Sequence, residues 1–212
     1  MTRRLGRLGA SLATVGLVAA MATALGTGTA AAADIVYETG DLSYTCEYPL
    51  LGPGALTVHA KAIGPDSVAS GSTATVRALE VVATVPSDVA GTLYDLAGVD
   101  GLRGFADADV IAAGGTLDSN TATDIRIAEQ FYNPGTTYPP FPVAAHQDSG
   151  TFIPTATAGA APGPLTISLD NAFTVRADFH FLNADPAWQE QAPFSCVLDG
   201  GQDAKLGSAT IT

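Results

Sequence analysis

Short runs in which apolar and polar residues alternate, each cut off by glycine or proline, constrain this chain more than any other feature. Leu42, Tyr44, Cys46 and Tyr48 alternate with Ser43, Thr45 and Glu47 until Pro49. Successive side chains of a strand point to opposite faces, so this run reads as a half-buried strand. After the Gly52-Pro53-Gly54 turn, Leu56, Val58, Ala60 and Ala62 share one face until Gly64-Pro65-Asp66 breaks the run. A β-branched segment over residues 73–85 ends at Pro86. Residues 104–112 turn Ala106, Ala108, Val110 and Ala112 one way and Phe105, Asp107, Asp109 and Ile111 the other. The small residues on the first face predict close packing against a second layer. Residues 124–132 read as a strand with Ile125 and Ile127 inward. Prolines at 134, 139, 140 and 142 follow, and because proline forfeits a ladder bond this region must be a loop or an edge. Further strands are expected at 165–169, 173–181, 196–198 and 208–212.

Only residues 86–96 read as a helix. Val89, Leu93 and Leu96 recur at helical spacing, and Ser87 is placed to cap the first turn. At two to three turns this is a connector. Roughly eight or nine short strands and one short helix predict a mainly-β chain, a two-sheet immunoglobulin-like β-sandwich, with a closed barrel as the competing architecture.

The N-terminus carries a different signal. Arg3, Arg4 and Arg7 precede an uncharged stretch from Leu8 to Leu25, and Ala30 to Ala33 offer the small residues of an export cleavage site before Asp34. About 18 apolar residues just reach across a bilayer, but this stretch is rich in Ala, Gly and Thr and runs into the cleavage signal. Residues 1–33 are therefore read as a cleaved signal peptide and 34–212 as a single domain, with no membrane anchor in the mature form. Gly6 stands where a twin-arginine signal wants a bulky apolar residue, which favours ordinary secretion. The mature chain keeps six bases against 21 acids, a net charge of −15. Such a polyanion repels phosphate backbones and anionic headgroups, which excludes nucleic acid as a partner. The expected location is extracellular or at the cell surface.

Two cysteines in an exported chain read most simply as one bridge, Cys46–Cys196, with two separate buried thiols as the alternative. Closing a loop of 150 residues gives a stabilisation of about 5 kcal/mol as an upper figure.

The segment Tyr44-Thr45-Cys46-Glu47-Tyr48-Pro49-Leu50-Leu51-Gly52, paired with Phe194-Ser195-Cys196-Val197-Leu198-Asp199-Gly200-Gly201-Gln202-Asp203, resembles a known family. It is the set of secreted actinomycete domains of unassigned function that open with Y-T-C-x-[FY]-P-[LI]-[IL]-G and close with C-x-L-x-x-G-Q. The resemblance spans nearly the whole mature chain. It implies an extracytoplasmic location, the Cys46–Cys196 bridge and a sandwich fold, and it names no catalytic residue.

Tested motif by motif, the chain offers no catalytic signature. His59, His146 and His180 are scattered, and neither H-E-x-x-H nor C-x-x-C occurs. No serine sits in a G-x-S-x-G elbow, and Ser149 beside Asp148 and His146 is only a local cluster. No cofactor is expected. Calcium is the one alternative, with Asp107, Asp109, Asp199 and Asp203 as hard oxygen donors, although nothing matches a known calcium loop. Asp95 and Asp100 supply further carboxylates.

The aromatic loop is the remaining feature. Phe131, Tyr132, Tyr138 and Phe141 interleave with the prolines, and Trp188 falls in a second polar loop. These rings either fold down to cap the end of the sandwich, which is the commoner arrangement, or stand out as rigid platforms that grip sugars or partner surfaces, with Tyr132, Tyr138, Phe141 and Trp188 as the candidate binding loop. The reading is a non-enzymatic binding or interaction module whose partner is a cell-envelope polysaccharide or protein. The alternatives are a metal-dependent or hydrolytic enzyme and an envelope pore or structural protein. A pore would need a lipid-facing apolar band, against which the Asp and Gly scattered along the strands argue.

Overall fold

The structure is a computed structural model and describes residues 32–212. The signal-peptide reading of residues 1–33 lies, but for its last two alanines, outside the described residues.

In chain order the elements are β1 (Asp34–Glu38), β2 (Leu42–Tyr48), β3 (Gly52–Pro65), β4 (Ser67–Val68), β5 (Thr73–Thr75), β6 (Arg77–Val85) and α1 (Ser87–Ala97). They continue with β7 (Val99–Ala113), β8 (Gly115–Leu117), β9 (Thr121–Phe131), β10 (Phe141–His146) and β11 (Thr155–Ala158). The chain closes with β12 (Gly163–Phe181), β13 (Trp188–Glu190), β14 (Phe194–Leu198) and β15 (Lys205–Ile211). Among the described residues the fold is mainly β, with two sheets, one helix and one disulfide, as the alternation and the cysteine count indicate.

The large sheet runs β14-β2-β3-β6-β10-β9-β7-β12-β15-β4, with β1 on β3 and β13 on β12. Its halves face each other across the core as the layers of a sandwich do. At one seam the halves are joined by backbone, because β14 pairs with β2 through Cys196, Val197 and Leu198 and with β12 through residues 194–197. Eight strands, β2, β3, β6, β10, β9, β7, β12 and β14, thereby form a closed ring of ladders. The bridge Cys46–Cys196 links directly opposed residues of two neighbouring strands within this ring. The other sheet, β5-β11-β8, has only three strands.

Several local expectations change. Residues 73–85 divide, giving β5 to the small sheet and β6 to the large one. The strands expected at 165–169 and 173–181 are one strand, β12, whose register on β7 shifts between Leu169 and Phe173. Ser87 makes no side-chain cap; Pro86 precedes the first turn and Gly98, in the left-handed region at φ 69°, ends the helix. Ala106, Ala108 and Ala112 pack against the buried core, and Ala106, Ala108 and Val110 also border an apolar cavity of about 100 Å³.

Two glutamines complete the ladders where backbone runs out. The Gln130 side chain accepts from the Ala144 N–H at 2.8 Å and donates to its carbonyl at 2.9 Å, beyond the two residues through which β9 and β10 pair. Gln202 does the same for Ser43, both bonds at 2.8 Å, just past the end of the β14–β2 pairing. The Gly200-Gly201-Gln202 segment is thus a clasp that holds β2 to the last part of the chain.

Candidate functional site

The outer face of β13, β12, β7 and β9 carries the most organised group of exposed side chains. Trp188 opposes His180, His180 opposes Gly101, and Gly101 opposes Phe131, so one row crosses four strands. Gly101 has no side chain to fill the row; a Cβ there would lie 2.9 Å from the Phe131 ring and 3.1 Å from His180 Cβ. The gap lets the rings meet, with centroids 5.2 Å apart for Phe131 and His180, 5.0 Å for His180 and Trp188, and 5.8 Å for Phe131 and Trp188. Phe131 is 51 % exposed, and Trp188 is half-buried.

A charged row lies beside the aromatic one. Arg103 opposes Asp178, and Asp178 opposes Glu190. The Arg103 guanidinium donates to Asp178 at 3.0 Å, approaches Glu129 at 3.5 Å and lies 4.4 Å from the Trp188 ring centroid. The Asp100 carboxylate meets His180 Nδ1 at 2.5 Å and fixes the imidazole against the aromatic row. Farther along the face, Arg176 bridges Asp107 at 3.2 Å and Asp124 at 2.7 Å and lies over Phe105. Its guanidinium is held even more firmly protonated by those two carboxylates. Arg126 opposes Phe105 in the same row, so three of the six bases in residues 34–212 stand on this one face.

The predicted aromatic loop does not stay together. Trp188 begins a short strand rather than lying in a loop, and it joins Phe131. Tyr132, the next residue after Phe131, turns inward and is buried, its hydroxyl donating to the Pro139 carbonyl at 2.8 Å. Tyr132 packs on Phe141 and Tyr94, while Tyr138 lies against Tyr94 and donates to Asp95 at 2.8 Å. That hydrogen bond to a carboxylate raises the Tyr138 phenol above its ordinary range. Tyr138 remains 42 % exposed. Tyr132 and Phe141 are thus the cover over α1 and one end of the core, and Tyr138 is its rim. Arg103, Asp178 and Glu190 are site residues that sequence reading missed, because their positions become meaningful only through the pairing of β12 with β7 and β13.

The calcium candidates are separated and engaged. Asp107 is held by Arg176 and accepts from the Asp124 N–H, while Asp109 accepts from Thr121 at 2.7 Å. Asp199 accepts from Thr45 at 2.9 Å and Asp203 from the Lys205 N–H at 3.1 Å. Among the described residues no group of three or more His, Cys, Asp or Glu is arranged to hold a metal. His59 does lie between two carboxylates, Glu38 at 2.9 Å and Asp41 at 3.3 Å. One carboxylate occupies each ring nitrogen, and the group borders neither of the two interior cavities. His146 ends β10 on the exposed side.

The model of a family of unknown function, DUF6801, matches residues 43–207. The chain belongs to that family. The DUF6801 match opens inside β2 and closes inside β15, so it takes in the disulfide, the Gln202 clasp and the whole aromatic face. No curated protein and no solved structure matches the chain.

Proposed function

We propose that this chain is a non-enzymatic binding module of the cell envelope or extracellular space, which recognises a cell-envelope polysaccharide or protein through its Trp188 face. The observation that supports it is the row Trp188–His180–Phe131 standing directly beside the row Glu190–Asp178–Arg103. Aromatic faces take the apolar side of a sugar ring or an apolar side chain, while adjoining guanidinium and carboxylate groups take hydroxyls or amides. A polysaccharide fits best, because Arg103 and Arg176 are already paired with carboxylates of the face and a neutral, hydroxyl-rich ligand finds both donors and acceptors there. The location rests on the disulfide and on the absence, among the described residues, of any helix long and apolar enough to cross a membrane.

Trp188 is the chain's one tryptophan, so its fluorescence reads this face directly. Titration with solubilised envelope polysaccharide is expected to shift Trp188 emission saturably. Phe131→Ala should weaken that binding about tenfold or more. In parallel, Trp188→Ala should lose retention on insoluble envelope polysaccharide while its thermal melt stays close to the wild type. Retention of Trp188→Ala at the wild-type level would remove this reading, and capture of a single envelope protein in place of polysaccharide would assign the face to a protein partner.

A further inference from the structure

The ring of eight strands closes around two apolar cavities, of about 100 Å³ and about 80 Å³. The first is bordered by alanines at 60, 106, 108, 122, 145 and 156. An eight-stranded ring is just wide enough for side chains of ordinary size to fill it. Methyl-sized side chains contributed from several strands leave it unfilled. The second cavity is bordered by Leu56, Val143 and Val175 of the ring and by Leu93 of α1.

The two spaces are neighbours. On three strands the inward stripe passes from one to the other at successive inward positions: Leu56 to Val58 on β3, Val143 to Ala145 on β10, and Val175 to Phe173 on β12. Such positions are roughly 6.6 Å apart, so the cavities lie next to each other inside the ring, parted by a layer of side chains. Along β6 their lining runs from Leu79 beside the first to Val85 beside the second, roughly 20 Å at strand rise.

The walls also define the chemistry of an occupant. Their charged members are all acids: Asp109 and Asp170 beside the first cavity and Asp100 beside the second. Asp109 already accepts from Thr121, and Asp100 is directed to His180. With no base in the lining, an anionic head would be desolvated without a partner. A flexible, extended, uncharged chain meets neither penalty. At one end, the three-stranded sheet contributes Ala74, Leu117 and Ala156 to the wall yet shares no ladder with the ring among the described residues. Lifting it breaks no strand pairing of the ring.

We infer that the interior of the strand ring is a binding site for the alkyl chain of an uncharged lipid, entered beneath the β5-β11-β8 sheet. The site is separate from the Trp188 face, and its test is independent of that face.

The experiment is a titration of the intact, disulfide-bonded mature chain with the neutral dye N-phenyl-1-naphthylamine. The expected result is a saturable fluorescence gain that hexadecan-1-ol reverses and that hexadecanoate, at neutral pH, reverses about tenfold less well. Ala108→Leu and Ala145→Leu each place three more carbons in the first cavity from different strands, and each should weaken the dye about tenfold or more while the protein still melts cooperatively. Leu96→Ser, at an 81 % exposed position on α1, should leave the titration unchanged. The inference is overturned by a non-saturable signal, by unchanged affinity in the filled variants, by loss of binding in Leu96→Ser, or by hexadecanoate matching the alcohol. If both filled variants fail to fold, the interior has no spare room, and the inference is overturned on that ground.

Discussion

Tyr44 shows what one side chain contributes to the interior. It is 1 % exposed, its ring meets Phe173 edge-on at 4.9 Å, and burial pushes its phenol up to about 12. Burial shifts Tyr48 in the same direction, with the charge of Asp88 adding to it. The folded state therefore holds the phenolic proton more tightly than the unfolded chain does. That stability is complete below the ordinary tyrosine value of about 10 and is lost as pH rises through the folded value. For Tyr44 the loss is on the order of 2–3 kcal/mol. Urea melts from about pH 9 to about pH 12 should fall steeply for the wild type and less steeply, by about that amount, for Tyr44→Phe. Equal alkaline slopes would show that Tyr44 does not titrate against the fold. At this scale the sequence was readable where alternation was unbroken: Tyr44, Leu56, Val58, Ile125 and Ile127 are all buried as their spacing requires. It was unreadable at Phe131. Counting by twos from Ile125 and Ile127 turns Phe131 inward, but the β7–β9 register shifts between Leu102 and Gly104 and an extra residue reverses the faces. Phe131 goes out to Trp188, Tyr132 goes in, and the predicted loop divides between two sides of the sheet.

The elements meet at two seams, and both carry backbone hydrogen bonds: β14 pairs with β2, and β15 pairs with β4, with the Thr210 N–H donating to the Asp66 carbonyl at 2.9 Å. β1, absent from the sequence expectation, pairs with β3 and carries Tyr37, whose ring lies over Gly207 of β15 and Gly64 of β3. The Tyr37 hydroxyl donates to the Pro65 carbonyl at 2.8 Å and fixes the ring there. A Cβ on Gly207 would sit 2.1 Å from Tyr37 Cγ, closer than any real contact. Gly207→Ala must therefore expel the ring or part the strands, at a cost of about 1–3 kcal/mol. Chemical denaturation should show that loss, and adding Tyr37→Ala should make the alanine at 207 nearly neutral, since the clash has then no second party. A Gly207→Ala protein as stable as the wild type would mean that this seam is not packed as described. β1, β8 and β11 were not legible, nor was the separation of β5 from β6, for the same reason. Runs of three to five residues give too few alternations to recognise, and their pairing is decided by long strands elsewhere in the chain. α1 was legible in place and length, but its N-terminus was not, because no side chain caps it.

For the whole molecule the decisive contact joins residues 150 positions apart. Alternation tells which residues form strands and which side faces inward; partner choice is non-local, so the return of β14 to β2 could be expected only from the cysteines. That return is short. Three residues of β14 pair with β2, while Gln202 and the Thr45–Asp199 hydrogen bond extend the grip beyond them on exposed, weakly stabilising contacts. The bridge between directly opposed Cys46 and Cys196 holds this seam shut by removing the unfolded chain's freedom to separate its ends. Cys46→Ala/Cys196→Ala should therefore lose about 2–5 kcal/mol of stability, a large share of the 5–15 kcal/mol typical of a domain. The loss should be local before it is global. Amide hydrogens of Ser195, Val197 and Thr45 should exchange faster in the bridge-free protein than those of β7 and β9, which have ladder partners on both sides and no seam between them. If exchange rises evenly over all strands, or if the bridge-free protein unfolds within about 1 kcal/mol of the wild type, the ring is closed by its ladders alone and the disulfide is not what keeps β14 in place.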